Sequence, residues 1–236
     1  MALLDVDTAL ARICAGVVPV AVETVDLTEA AGRVLAEDVI ARITQPPFDA
    51  SAMDGYAVRA ADVADLPANL DVIGEAAAGR AFGGHVASGQ TVRIFTGAPV
   101  PAGADAIVIQ ENVERPSRGS NTIRVIAGAP DPAHVRRRGG DFAAGDRLLT
   151  AGRRISARDV TLAAAMGHAS LPVRRKPVVA ILATGDELVP PGATPRPDQV
   201  ISSNPYGIAA MVGAAGGRPV LLGIARDNPD SLADHI

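Results

Sequence analysis

Two uninterrupted apolar runs near the end of the chain constrain its fold most strongly. The first covers residues 178–182 and leads into Ala-Thr-Gly-Asp-Glu, and the second covers residues 220–224. Between them, residues 203–205 (Ser-Asn-Pro) predict a helix start, with Pro in its first turn, and the Gly pair at 216–217 predicts its end. Apolar strands joined through a helix predict a parallel β-α-β unit that is buried on both faces.

Residues 51–145 have a different pattern, in which short strand-like pieces alternate with turns. The predicted strands cover residues 56–58, 70–73, 91–95, 106–110 and 122–126. The chain contains 24 Gly and 18 Pro, which is above ordinary usage and favours tight turns. We therefore expect a compact, barrel-like β domain here.

Three short helices are expected on either side of this β region, over residues 5–15, 28–38 and 156–166. Leu10, Ile13 and Cys14 would share one face of the first helix, so that Cys14 is expected in the core. Thr28 is a candidate cap for the second helix. The third begins with Ser-Ala-Arg-Asp, which has the spacing of a capping box.

These elements predict an α/β multidomain protein. Residues 1–50 and 146–175 would form an elongated helical segment, 51–145 an inserted β-barrel-like domain, and 176–236 the beginning of a parallel α/β domain. The last residues, ending at Ile236, look like the start of another helix. Two parallel strands with about one and a half helices cannot cover a sheet, so we expect a truncated domain or one that docks on a partner.

Charge and composition exclude several classes of protein. The net charge is −4, which argues against nucleic-acid binding by bulk electrostatics. The first 25 residues carry Asp5, Asp7 and Glu23 and no basic segment, so no secretory signal is expected. There is no apolar run of about 20 residues, so no membrane span is expected and a cytoplasmic location is the default. Cys14 is the only cysteine, which rules out an internal disulfide and a cysteine metal cluster.

Acidic residues follow both apolar runs. Gly185, Asp186 and Glu187 come directly after the first, and Asp227 comes after the second. Ligands bind at the carboxyl ends of the strands in open α/β sheets, and Gly185 would let backbone approach a ligand closely. The carboxylates suit Mg²⁺ or acid-base chemistry, but they would serve equally well to cap and solubilise a loop.

Other candidate residues have simple structural alternatives. Ser203 precedes a helix whose N–H groups could bind an anion, and simple capping of that helix explains the residue at least as well. Arg136, Arg137 and Arg138 precede Gly-Gly-Asp141 and suit a phosphate or another oxyanion, although a solvated turn is favoured. A turn hydrogen bond is the simpler role for Thr96, whose hydroxyl could also bind an oxyanion. For Asp54, at a turn entering a strand, capping is favoured over metal binding or general-base catalysis.

Taken in chain order, the segments resemble the molybdopterin molybdenumtransferase family, which includes bacterial MoeA and the E domain of gephyrin. The matching segments are residues 47–49, 51–58, 96–101, 103–108 with 110–111, 136–141 and 184–188. Each segment alone is modest, whereas their joint occurrence in family order is specific. The family's Gly-Gly-Val-Ser-type loop and C-terminal β domain have no counterpart here, so the resemblance is to the N-terminal part.

The resemblance implies a homodimer whose helical region dimerises and whose α/β domain binds molybdopterin. It implies a cleft between the α/β domain of one subunit and the β domain of the other, where molybdate is inserted into adenylylated molybdopterin and AMP is released with Mg²⁺. Four residues match the family's catalytic positions: Asp54, Asp141, Glu187 and Asp227. Thr96, Arg136, Arg137, Arg138, Gly185 and Ser203 would bind substrate.

Mg²⁺ would be held by Glu187 and Asp227, while Asp54, Thr96 and Asp141 would come from the β side across the dimer. One alternative is a noncatalytic dimerisation or scaffold fragment of the same family. Another is an unrelated α/β protein that binds a phosphosugar or nucleotide.

Overall fold

The computed structural model describes residues 4–115, 120–128 and 130–235, and these form two compact units. The terminal unit comprises Met1–Val39, Leu149–Ala164 and His168–Ile236. The inserted unit comprises Ile40–Leu148 and Ala165–Gly167. The domain division expected from the sequence, at residues 50, 145 and 175, stays a prediction.

The described residues form short strands and few helices. In chain order the strands are β1 (Val22–Asp26), β2 (Val39–Ile40), β3 (Ala50–Ser51), β4 (Gly55–Val58), β5 (Ala68–Ala76), β6 (Gln90–Ile94), β7 (Ala106–Ile109), β8 (Val113–Glu114), β9 (Thr122–Val125), β10 (Val135–Arg136), β11 (Arg147–Leu149), β12 (Ser170–Arg174), β13 (Val178–Thr184), β14 (Leu188–Val189), β15 (Val200–Ile201) and β16 (Arg218–Ala225). The α-helices are α1 (Val6–Cys14), α2 (Leu27–Ala30), α3 (Ala157–Ala165), α4 (Asn204–Ala214) and α5 (Pro229–Ala233). Short 3₁₀ turns cover Ala60–Val63, Gln110–Asn112 and Pro132–His134.

A curled six-stranded sheet with the spatial order β7-β4-β6-β5-β9-β8 forms the inserted unit. Its two edge strands, β7 and β8, are consecutive in the chain and are separated only by the turn Gln110–Asn112, so the sheet must curl to bring its edges to one corner. Alternate residues of β4 and β7 enter two separate buried clusters, one around Leu70 and Ile123 and the other around Val92 and Ile107. All five strands predicted in this region are confirmed.

The terminal unit contains the predicted β-α-β arrangement, but its strands are not buried on both faces: only Ile181 of β13 and Ala225 of β16 are buried, and 46% of Leu221 is exposed. β13 and β16 pair in parallel, and α4 connects them in the chain. α4 ends just before Gly216, whose φ of +93° lies in the left-handed region that favours glycine at a helix end. The helix expected near the end of the chain is α5, and Ile236 itself lies outside the described residues.

The predicted helix over residues 28–38 is wrong, because only α2, four residues long, forms there. Gly32 has a φ of +80°, and the segment that follows is extended. Leu35 donates its backbone N–H to the carbonyl of Arg153 at 2.9 Å, and only 1% of Leu35 is exposed. Tertiary pairing and burial therefore override the local helix propensity.

The expected elongated helical segment is likewise replaced by short strands and turns. α1 and α3 form where they were predicted, but the residues that accompany them include β1 and β12, which pair antiparallel. Cys14 is exposed rather than buried, because α1 has no buried residue against the rest of the described chain. None of the helices in the described part of the chain has the length and hydrophobicity of a membrane span.

Candidate functional site

Asp54 lies in the turn between β3 and β4 and is bound by Thr96, which follows β6. The carboxylate oxygen Oδ1 of Asp54 accepts the backbone N–H of Thr96 at 2.8 Å and its hydroxyl at 2.9 Å. These two donors hold the pKa of Asp54 below its usual value. The carboxylate is exposed and ionised at neutral pH, and none of the described residues donates a hydrogen bond to its second oxygen.

The two segments that carry Asp54 and Thr96 are joined by backbone hydrogen bonds as well. Ser51 donates its N–H to the carbonyl of Ala98 at 2.9 Å, and Gly97 donates to the carbonyl of Ser51 at 2.8 Å. A Cβ on Gly55 would lie 2.0 Å from the carbonyl oxygen of Val108, so only glycine permits this approach of β4 to β7. The segments 51–58 and 96–101 are far apart in the sequence, but these hydrogen bonds hold them side by side in the fold.

The three consecutive arginines have different contacts. Arg137 forms an ion pair with Asp49 at 2.7 Å, and the backbone N–H of Arg138 donates to the other carboxylate oxygen of Asp49 at 2.7 Å. The side chain of Arg138 donates to the carbonyl of Pro47 at 3.1 Å. Among the described residues, the guanidinium of Arg136 has no hydrogen-bond or ion-pair partner, so it is the most available of the three.

Asp49 anchors this arginine segment and was not among the predicted site residues. The N–H of Arg138 and then the guanidinium of Arg137 lower the pKa of Asp49. The sequence signal was weak, since Asp49 appeared only as part of the Pro-Phe-Asp segment. Its contacts are with residues 88 and 89 positions further along the chain, which no local pattern reveals.

A cavity of about 510 Å³ lies in the inserted unit beside these residues. It is lined by Gln45, Pro46, Pro47, Phe48, Ala50, Gly97, Arg136, Arg137, Gly140 and Asp141. Asp141 is positioned by its backbone N–H, which donates to the carbonyl of Gln45 at 3.0 Å, and its carboxylate is exposed. Two guanidinium groups beside one carboxylate suit a phosphate or another oxyanion, with the carboxylate able to accept a proton or bind a cation.

In the terminal unit, Gly185 and Glu187 lie just beyond the end of β13. Gly185 donates its N–H to the carbonyl of Ala225 at 3.2 Å, and its φ is +153°. A Cβ at this position would lie 2.6 Å from the Oε2 atom of Glu187. The absence of a side chain at Gly185 therefore leaves room for the carboxylate of Glu187.

Asp227 follows the end of β16, which is the parallel neighbour of β13. The preceding residue, Arg226, donates its guanidinium to the carbonyl oxygen of Asp186 at 3.1 Å. This bond joins the loop after β16 to the loop after β13. Glu187 and Asp227 are thus carried by two connected loops at one edge of the sheet.

Ser203 occupies the position before α4, but its side chain makes no capping hydrogen bond. It lines a cavity of about 390 Å³ together with Thr184, Asn204 and the buried Ser202. The N-terminus of an 11-residue helix borders this cavity. Such a terminus favours a negatively charged group.

The described residues contain no group of three or more His, Cys, Asp or Glu arranged to hold a metal ion. Mg²⁺ commonly uses only one or two carboxylates and completes its coordination with water and substrate phosphates. The two carboxylates of Glu187 and Asp227 would suit a Mg²⁺ ion that is also coordinated by water and substrate phosphates, rather than one coordinated by protein ligands alone.

The predicted site residues thus fall into separate clusters. In the inserted unit, Asp54 binds Thr96, while Arg136, Arg137 and Asp141 line one cavity and Arg138 is turned to Pro47. In the terminal unit, Gly185 adjoins Glu187 and Ser203 lines the cavity at the start of α4. The single cleft expected to unite all of them stays a prediction.

Comparisons with known proteins agree on one family. Residues 4–167 match the model of the MoeA N-terminal region (domain I and II). The molybdopterin molybdenumtransferase of a Nostoc species is 41% identical over 91% of this chain and 49% of its own length. The protein of that name from Bacillus subtilis is 36% identical over 96% of this chain and 54% of its own length.

A solved structure of the molybdopterin biosynthesis MoeA protein from Pyrococcus horikosii superposes with a TM-score of 0.86 at 33% identity. The superposition covers 99% of this chain and 60% of the solved chain. The chain spans about half the length of the curated relatives it matches. The family model covers most of the chain, and the chain belongs to the MoeA N-terminal region family.

Proposed function

We propose that this chain acts in molybdenum cofactor biosynthesis as part of a molybdopterin molybdenumtransferase. The reaction would insert molybdate into adenylylated molybdopterin and release AMP in a Mg²⁺-dependent step. Family membership and the names of the relatives from Nostoc and Bacillus subtilis support this proposal. The finer features of the reaction rest on the chemistry of the residues in the two units.

The cavity beside Arg136, Arg137 and Asp141 carries the proposal, since both proposed substrates are anionic. Guanidinium groups bind phosphate and other oxyanions through paired N–H donors. The guanidinium of Arg136, which has no partner among the described residues, would bind such a group, while Arg137 is already oriented by Asp49. Asp141 at the same cavity would bind a cation or accept a proton.

Each remaining candidate has a role that its surroundings favour. Asp54, kept ionised by Thr96, would act as a charged acceptor. Glu187 and Asp227 would hold Mg²⁺, which would neutralise phosphate charge. Gly185 leaves the space that Glu187 needs, and Ser203 with the start of α4 would bind an anionic group of the substrate.

We propose further that the protein works as a homodimer in the cytoplasm. The apolar side chains of α1 support a partner, because 58% of Leu10 and 71% of Ile13 are exposed. Burying such residues against a second copy would remove apolar surface from water. A dimer would also allow residues of one subunit to complete the site of the other.

Complementation tests the proposal. A bacterial strain that lacks its molybdopterin molybdenumtransferase would receive the reading frame that encodes this chain, either wild type or with Asp54→Asn or Arg136→Ala. We expect molybdoenzyme activity from the wild type and a large loss from both variants, with adenylylated molybdopterin accumulating. Asp198→Asn is the matched control, since Asp198 is exposed and pairs only with Arg196 among the residues that the structure describes.

A noncatalytic dimerisation or scaffold module is the second candidate, favoured by the exposed apolar face of α1. In that case the chain would form a dimer in sedimentation experiments and would not restore molybdoenzyme activity. Restoration of activity that does not depend on Asp54 and Arg136 would instead contradict the site proposed here. Both candidates predict a dimer in sedimentation, so complementation of the deficient strain is the measurement that separates them.

A further inference from the structure

Arg93 makes an unusual set of contacts beside Asp54. It lies on β6 directly opposite Tyr56 of β4 and is half-buried. Its guanidinium carbon is 5.0 Å from the ring centre of Tyr56 and 4.9 Å from that of Phe95. A flat guanidinium over aromatic rings is stabilised by cation–π attraction and is held in a defined orientation.

The nitrogen atoms of the same guanidinium bind the turn that carries Asp54. One donates to the carbonyl of Gly55 at 3.1 Å, and another donates to the side-chain oxygen of Gln110 at 2.7 Å. Gln110 in turn donates its backbone N–H to the carbonyl of Asp54 at 3.1 Å. Arg93 is therefore connected to both peptide carbonyls of the Asp54–Gly55 pair, directly or through one residue.

The orientation of Gln110 is fixed from its other side as well. Its side-chain N–H donates to the carboxylate of Glu111 at 3.2 Å, which leaves the amide oxygen facing Arg93. Phe95, one of the two rings in contact with Arg93, directly precedes Thr96, and Thr96 donates both hydrogen bonds to the Asp54 carboxylate. The guanidinium of Arg93 is thus linked to the backbone around Asp54, and it also contacts Phe95, the neighbour of Thr96.

We propose that Arg93 is a positioning residue that holds the Asp54 turn in the geometry required for the transferase reaction. The inference rests on the proposed function, which gives Asp54 a role in that reaction. Lysine cannot replace Arg93, because an ammonium group has no planar face and cannot bind two divergent acceptors while it contacts two rings. A conservative Arg93→Lys substitution therefore separates geometry from charge.

Hydrogen exchange of backbone amides tests the positioning without any enzyme assay. The amides to follow are those of Thr96 and Gln110, the donors to Asp54. Arg93→Lys should accelerate their exchange by at least about tenfold, since charge-assisted hydrogen bonds are lost. Arg115→Lys is the matched control, because Arg115 donates to the hydroxyl of Tyr56 at 3.1 and 2.9 Å. Unchanged exchange in Arg93→Lys, or equal acceleration in both variants, would overturn the proposal.

The kinetic test uses the complete transferase with the same two variants and with Asp54→Asn. Arg93→Lys should lower kcat by about tenfold while KM for molybdate changes by less than about twofold, because a displaced Asp54 affects the reacting state. Faster exchange with an unchanged kcat would overturn the role of Arg93 in the reaction. Full activity of Asp54→Asn would instead overturn the proposed function of Asp54, so the two failures can be told apart.

Discussion

Thr96 donates two hydrogen bonds to a single carboxylate oxygen of Asp54, one from its backbone at 2.8 Å and one from its hydroxyl at 2.9 Å. The bonds connect the turn before β4 with the loop after β6, 42 positions apart in the chain. Donors to a carboxylate favour its charged form. Asp54 is therefore set up as a charged acceptor or a cation ligand, and not as an acid at neutral pH.

The Thr96→Val substitution should raise the pKa of Asp54 toward its ordinary value, because it removes the hydroxyl donor and keeps the backbone donor. Carboxyl-carbon NMR across acid pH measures the midpoint directly. Thr122→Val is the control, since its hydroxyl bonds Asp71 at 3.1 Å and not Asp54. An Asp54 midpoint that is the same in wild type and Thr96→Val would show that the hydroxyl bond contributes nothing.

Arg136→Ala should weaken anion binding in the cavity by about tenfold or more, since it removes the guanidinium that has no bond to any other described residue. The denaturant midpoint should stay unchanged for the same reason. Arg137→Ala, in contrast, should lower the free energy of unfolding, because it breaks the ion pair with Asp49. The loss should be less than about 1 kcal/mol, since 61% of the Arg137 side chain and 37% of the Asp49 side chain are exposed. Calorimetric titration with inorganic phosphate and urea unfolding measure the two effects.

Arg138→Ala is the control for this experiment. Its guanidinium is bound to the carbonyl of Pro47 and does not line the cavity. Phosphate affinity should therefore remain close to that of the wild type. An equal loss of phosphate affinity in Arg136→Ala and Arg138→Ala would mean that the three consecutive arginines bind anions only through their total charge.

Short-range sequence patterns were sufficient to predict the parallel strands of the terminal unit and the short strands of the inserted unit. The apolar runs around β13 and β16 and the Gly- and Pro-bounded strands of the inserted unit were recognisable because side-chain periodicity and turn residues act over a few positions. The segment 28–38 has the composition of a helix, yet Leu35 pairs with Arg153, 118 positions away in numbering. Only the folded chain reveals that competition.

The site follows the same division. The segments containing Asp54, Thr96 and Asp141 were recognised as motifs, but the bonds between them depend on strand register. Arg93 was missed because its significance lies in being opposite Tyr56 on the neighbouring strand. A register for β4 and β6 would have been needed to find it, and one-residue errors in register reverse the faces of a strand.

Gly185→Ala should displace the carboxylate of Glu187 and raise the Mg²⁺ concentration needed for half-maximal activity of the complete transferase. The added Cβ would lie 2.6 Å from Glu187 Oε2, and the φ of +153° is itself unfavourable for alanine. Gly192→Ala is the matched control: its φ is +91° and no atom of the described residues lies within 4 Å of the added Cβ, so it carries backbone strain alone, roughly 1–2 kcal/mol. The same Mg²⁺ requirement in both variants would contradict a role for Glu187 in holding the ion.

The start of α3 offers a test of stability that is independent of function. Ser156 and Asp159 form the predicted capping box: the Asp159 carboxylate accepts the N–H and the hydroxyl of Ser156, each at 2.8 Å. The Ser156 hydroxyl oxygen accepts the N–H of Asp159 at 3.3 Å. Arg153 completes the set with an ion pair to the buried Asp159 carboxylate at 2.9 Å.

These contacts, the Arg153 bond first and the Ser156 N–H next, lower the pKa of Asp159 from 3.8 to about 2. The lowered pKa corresponds to about 2 kcal/mol of folding stability that is fully present above pH 4 and is lost as the pH falls toward about 2. Asp159→Asn should therefore reduce the free energy of unfolding at neutral pH by about 2 kcal/mol and should flatten its decline between about pH 4 and 2. Urea unfolding at several pH values measures both effects, with Asp198→Asn, an exposed partner of Arg196, as the control. A parallel decline in the wild type and Asp159→Asn would place the acid sensitivity at other carboxylates.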